Sequence, residues 1–148
     1  MRDADLPLYF RLFNEIGILA QLSRAAFEAR LPDGMLVPHF SVLNHLMRVE
    51  DGRTPLDLAR AFQVPKTTMT HTLSGLEAAG FVEMRPNPED GRSKQVWITE
   101  PGRRFREQSI EALMPDLDAL AAEFSEDHIA QLVPKLQAIR EWMDDRRG

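Results

Sequence analysis

The stretch that most restricts the fold is "TPLDLARAFQVPKTTMTHTLSGLEAAGFVEMRPNPEDGRSKQVWIT", residues 54–99. Thr54 reads as an N-cap with Pro55 at the first helical position. Asp57, three residues after the cap, completes a capping-box-like pattern ahead of Leu58, Ala59 and Phe62. "QVP" ends this helix by 63–65. A second helix starts at once and runs from about Lys66 to Ala79, closed by Gly80 as a C′ residue. Two short helices across a three- or four-residue turn make a helix-turn-helix. After Gly80, "FVEMRP" and "KQVWIT" alternate like strands around the turn-rich 87–93, which predicts a hairpin.

Helices are expected on both sides of this block. Asp5-Leu6-Pro7 reads as a helix start. Apolar residues then recur at Tyr9, Leu12, Phe13, Ile16, Leu19, Leu22 and Ala26, and Leu8 and Phe10 spread apolar character to a second face. A helix apolar on two faces packs against its own core and against something else, here expected to be a second subunit. "LPDG" at 31–34 breaks it. Phe40, Leu43, Leu46 and Met47 form the next stripe, stopped by Asp51-Gly52. Thr99 is expected to cap a long fifth helix carrying Phe105, Ile110, Leu113, Met114, Leu117, Leu120 and Phe124, kinked at Pro115. Ser125 caps a last helix striped with Ile129, Leu132, Val133, Leu136, Ile139 and Met143.

A chain of 148 residues suits one domain with helical extensions. The absence of cysteine excludes disulfides, thiolate metal sites and Cys nucleophiles. No stretch approaches the roughly 18 apolar residues that span a bilayer, and nothing at the N-terminus resembles a signal peptide, so a cytoplasmic protein is expected. The net charge of −5 argues at first against nucleic acid, but its distribution does not. Residues 60–108 carry 8 Lys/Arg against 6 Asp/Glu, and both flanks are net acidic. DNA binding depends on where the cations sit.

At 100° per residue, Met69, Leu73 and Leu76 fall on one side of the second helix. Thr67, His71, Ser74 and Ala78 lie opposite, with Thr68 and Gly75 nearby and Lys66 and Thr70 on the flanks. This outer face is small and polar with few carboxylates, which suits a major groove. Threonine is a mediocre helix former, and the four at 67, 68, 70 and 72 lower helix propensity. A face selected only for solvation would carry Glu and Lys. A hairpin directly after such a helix can act as a wing whose tip enters the adjacent minor groove. Arg92 is the natural intruder there, because a narrow minor groove attracts arginine. Asp90 is placed to hold a guanidinium extended, that of Arg92 or of Arg85, and Arg85 and Lys94 are placed to reach phosphates.

These residues together closely resemble the winged helix of MarR-family transcriptional regulators. The resemblance covers the helix-turn-helix, Leu76-Glu77 through Gly80-Phe81-Val82 to Arg85, the wing Asp90-x-Arg92-Ser93, and Thr99 with Gly102. It implies a mainly α fold with a small β hairpin: a winged helix-turn-helix DNA-binding region at 35–100, and a dimerisation region formed by the helices of 1–34 and 101–148. It further implies a homodimer on a palindromic double-stranded operator, with repression as the expected output, and a small aromatic effector between the dimerisation and DNA-binding regions. Apolar residues at helical spacing suggest a pocket for it near Phe13, His39, Phe40, Leu43 and Met47, with core packing as the competing account. Three departures stand out, one of them Gly75 inside the reading helix, which costs about 1 kcal/mol against Ala. Pro65 removes the hydroxyl that usually caps the reading helix, and His71 stands where an Arg is common.

His39, His45, His71 and His128 share no metal-like spacing. No phosphate loop, Ser/His/Asp order or carboxylate pair stands out, so neither a cofactor, a metal nor an enzyme is expected. The competing reading is a winged helix used purely for protein contacts.

Overall fold

The computed structural model describes residues 6–32 and 34–147. Asp5 and Asp33, read above into a helix start and a helix break, lie outside them. The chain divides into two compact units, one running to Ala112 and one from Leu113.

The first unit contains α1 (Leu6–Glu28), α2 (Val37–Arg48), α3 (Pro55–Phe62), α4 (Lys66–Ala78), β1 (Val82–Pro86), β2 (Lys94–Ile98) and α5 (Glu100–Ala112). Its core draws one apolar stripe from each element: Val42, Leu43 and Leu46 from α2, Leu58 from α3, and Leu73 and Leu76 from α4. Val82, Val96 and Ile98 of the strands and Phe105 of α5 close it. Full burial of each such aliphatic side chain is worth about 1.5–3 kcal/mol, which makes these stripes the main source of cohesion. Phe81 and Phe105 stack with centroids 4.5 Å apart and tie α5 to the hairpin. By contrast, α1 leaves Leu8, Tyr9, Phe10, Phe13, Leu19 and Leu22 exposed.

The hairpin is antiparallel, with Val82 opposite Ile98 and Pro86 opposite Lys94. It has a third partner that the sequence did not announce. Arg53 bridges to Val96, whose N–H donates to the Arg53 carbonyl at 2.8 Å, while the Gly52 N–H donates to the Val96 carbonyl at 3.0 Å. The loop between α2 and α3 is thereby a one-residue strand on the edge of β2. Gly52 has φ +71°, and a Cβ there would lie 2.5 Å from the Trp97 ring, so the indole rests on bare backbone.

The second unit holds α6 (Met114–Glu123) and α7 (Glu126–Arg146). Near the kink expected at Pro115, α5 ends at Ala112 and α6 begins at Met114, with Leu113 alone between them. Proline has no N–H for the carbonyl one turn earlier, so the helix restarts at Met114 with Pro115 in its first turn. Ser125 caps α7 by accepting the His128 N–H at 3.2 Å. Neither helix of this unit buries a residue; Leu117, Leu120, Phe124, Leu132, Val133 and Met143 all stand exposed.

Candidate nucleic-acid interface

The helix-turn-helix is built from local signals. Thr54 Oγ1 accepts the Asp57 N–H at 3.1 Å, and the Asp57 carboxylate turns back towards Arg53, 3.9 Å away. After α3 the chain reverses through Gln63, whose φ of 54° makes it the one non-glycine residue in the left-handed region among those described. Its side-chain amide donates to the Arg60 carbonyl at 3.0 Å and steadies the turn. Pro65 precedes α4 and supplies no side-chain cap. The first N–H groups of α4 therefore stay free to meet an anion.

On α4 the buried side consists of Met69, Thr72, Leu73 and Leu76. Lys66, Thr67, Thr68, Thr70, His71 and Ser74 are all exposed. Thr72, the fourth threonine of this helix, is not on the outer face. It is buried on the core side and its hydroxyl donates to the Thr68 carbonyl at 3.2 Å, which satisfies the group without a ligand.

The hairpin tip is ordered by its own side chains. Asn87 Oδ1 accepts the Glu89 N–H at 3.0 Å, and Asn87 Nδ2 donates to Ser93 Oγ at 2.9 Å. Asp90 Oδ1 accepts the Arg92 backbone N–H at 2.9 Å and lies 3.5 Å from Arg92 Nε. Asp90 thus orients Arg92, whose side chain is 95% exposed. Exposed pairs of this kind add under about 1 kcal/mol to stability, so the pairing matters for direction. Arg85 is held differently: its guanidinium pairs with Glu83 and lies 4.9 Å from the Trp97 ring centroid. Lys94 is exposed at the start of β2.

Two contacts behind this surface were not read from the sequence. Asp51 looked like a helix stop, yet Oδ1 accepts the N–H of Gly52 and of Ile98, each at 3.0 Å, and Oδ2 pairs with Arg103 at 3.6 Å. One carboxylate fastens the α2–α3 loop to both the hairpin and α5. His39 is the second. Its Nδ1 accepts the Leu36 N–H at 2.9 Å, and its Nε2 would lie 2.9 Å from a Cβ at Gly75. Burial foremost, and the nearby His71, push its pKa below the ordinary value. His45 is also depressed, by burial and then by Arg53 and Arg48.

The residues suggested for an effector are spread over different environments. Leu43 is wholly buried in the core, Phe40 rings against Phe27 at 4.7 Å, Met47 packs on the core edge, and Phe13 is exposed on α1. Among the described residues no group of three or more His, Asp or Glu is arranged to hold a metal, and no helix is long and apolar enough to cross a membrane.

A helix-turn-helix followed by an antiparallel hairpin, with a short third strand from the preceding loop, defines a winged-helix protein of the DNA-binding type. Residues 33–93 match the model described as the MarR family. The transcriptional repressor YetL of Bacillus subtilis is 28% identical over 133 residues, covering 89% of this chain and 78% of YetL. The transcriptional activatory protein BadR of Rhodopseudomonas palustris is 32% identical over 102 residues, covering 68% of this chain and 57% of BadR. A mutant of E. coli MarR solved with operator DNA superposes with a TM-score of 0.73 at 26% identity, over 93% of this chain and 99% of that one. Over residues 33–93 the chain thus matches the MarR family model, and the relatives and solved structures it resembles are transcriptional regulators.

Proposed function

We propose that the chain acts as a homodimer on a palindromic operator, with α4 in the major groove and the hairpin tip in the adjacent minor groove. The observation that carries this reading is the pairing of an exposed face on α4 that is poor in acids with the exposed Arg92 at the tip of the hairpin that follows. Lys66, Thr67, Thr68, Thr70, His71 and Ser74 are assigned to bases and flanking phosphates, Arg92 to the minor groove, Asp90 to orienting it, and Arg85 and Lys94 to the backbone. Residues 35–100 form the DNA-binding region in this assignment. The exposed apolar faces of α1, α6 and α7, within 1–34 and 101–148, are assigned to the dimer contact, since monomers rarely leave such surface open to water.

Repression follows by occlusion of a promoter, and a small aromatic effector near Phe13, His39, Phe40 and Met47 would release it; Leu43 backs that wall from the core. Titration into genomic DNA fragments at two salt concentrations tests the central claim. Affinity that falls steeply with salt supports it through counterion release. A module built for protein contacts alone shows no DNA shift at either concentration.

A further inference from the structure

We propose that His39 is a positioning residue for the reading helix: its neutral imidazole, bonded to the first turn of α2 and seated in the notch at Gly75, holds α4 in its DNA-reading pose, and protonation loosens that seat. The inference rests on the DNA-binding assignment above and adds a proton as a second input to it.

Three features of the geometry oppose a charge on this ring. First, Nδ1 is an acceptor for the Leu36 N–H, and a protonated Nδ1 cannot accept. Second, His39 lies in the first turn of α2, at the positive end of the helix dipole. Third, His71 stands one turn before Gly75 on α4, on the side that meets His39. The other charged groups nearby are engaged. Glu28 of α1 accepts the Val37 N–H at 2.9 Å and pairs with Arg24, and Arg106 of α5 donates to Asn44. The first turn of α2 contains no acid of its own.

Gly75 makes the contact consequential. It lets α4 approach until the imidazole fills the place of a side chain, so any reorientation of the ring is felt by the helix that carries His71 and Ser74. The depressed pKa of His39 agrees with a ring that is neutral when seated. His71 is the other histidine close to this contact, so it is replaced in both arms of the test.

The test compares His71→Gln with the double variant His39→Gln/His71→Gln. Glutamine keeps an acceptor of similar reach but does not titrate. Binding is measured to a duplex that the wild-type protein itself selects from a random-sequence pool, between about pH 7.5 and 5.5. His71→Gln is expected to lose about three- to tenfold in affinity as the pH falls, within what release of one proton allows, and the double variant to stay flat by comparison. In the wild-type protein, the His39 ring resonance followed by NMR should titrate below the ordinary histidine range, moving the Leu36 and Gly75 amide signals with it. Coincident pH profiles for the two variants, or titration of His39 at or above the ordinary range, would overturn this proposal alone. Absence of salt-sensitive DNA binding by the wild-type protein at every pH would overturn the DNA-reading assignment and this proposal together.

Discussion

The imidazole of His39 occupies the space in which a side chain at Gly75 would stand, with Nε2 2.9 Å from the ideal Cβ position. A glycine in mid-helix costs about 1 kcal/mol against alanine, so α4 gives up propensity at this point for closeness to α2. The obstructing atom is the far end of a side chain, however, and the ring can turn away by giving up its bond to Leu36.

Gly75→Ala therefore sets a propensity gain of about 1 kcal/mol against a lost hydrogen bond of about 0.5–1.5 kcal/mol. In the wild-type background the two nearly cancel. In a His39→Ala background the same substitution should stabilise by roughly 1 kcal/mol. Urea denaturation of the four proteins measures the coupling, and equal effects in both backgrounds would show that the two residues do not meet.

Gly102→Ala should behave otherwise. A Cβ there would lie 2.1 Å from the Phe81 carbonyl oxygen, which is backbone and cannot swing aside. The same carbonyl accepts the Thr99 N–H, and Thr99 Oγ1 accepts the Gly102 N–H at 3.1 Å while donating to the Gly80 carbonyl. Overpacking typically costs about 1–3 kcal/mol, and this site belongs at the upper end. A thermal midpoint within a degree or so of wild type would contradict the packing described.

Arg92→Ala is expected to weaken DNA binding by about 1–3 kcal/mol and leave the thermal midpoint unchanged, because the side chain is almost entirely in solvent. Asp90→Ala should give a smaller loss, since the arginine remains but is no longer held extended. Gel shifts at fixed salt rank the variants; an Arg92→Ala protein that binds as well as wild type removes the wing from the interface.

Asp51→Ala removes the acceptor shared by Gly52 and Ile98 together with the partner of Arg103. A part-buried donor left unpaired costs about 1–3 kcal/mol, so stability should fall by that order. Because the carboxylate anchors the hairpin, DNA affinity should fall too, and by less when Arg92 is already alanine. Full additivity of the two affinity losses would indicate that Asp51 does not act through the wing.

Acid should destabilise the fold through His39 and His45. Both have folded-state pKa values below the ordinary histidine value, so the native protein binds fewer protons than the unfolded chain. Their contribution is complete above about pH 6.5 and is lost as the pH drops through and below that value. His45 Nε2 has no hydrogen-bond partner among the described residues, and its ring faces Phe62 at 5.4 Å. His45→Phe should therefore fold and show a shallower decline of thermal midpoint in acid; an unchanged slope would exclude His45 as a contributor.

What the sequence determined by itself was everything encoded within a few residues. The Thr54 and Ser125 caps, the Met69-Leu73-Leu76 stripe and the strands flanking 87–93 each arise from spacings of two to four residues. Backbone geometry fixes those spacings before any tertiary contact forms. The break in helix beside Pro115 was legible in the same way, because a proline has no N–H for the carbonyl one turn earlier.

Only the tertiary structure decided the contacts that seat the candidate interface. Asp51 reaches an amide 47 residues away, Arg53 bridges to Val96, and His39 settles on Gly75. In the sequence these are a helix-stopping Asp-Gly, a loop arginine and an isolated histidine, with nothing local to mark a partner. Thr72 lies on the core side of α4, where its hydroxyl is satisfied by the Thr68 carbonyl. Local hydrogen bonds and periodicity write the elements. The direction in which each element presents its polar groups is set by how their apolar faces close on one another, and that is a property of the packed chain.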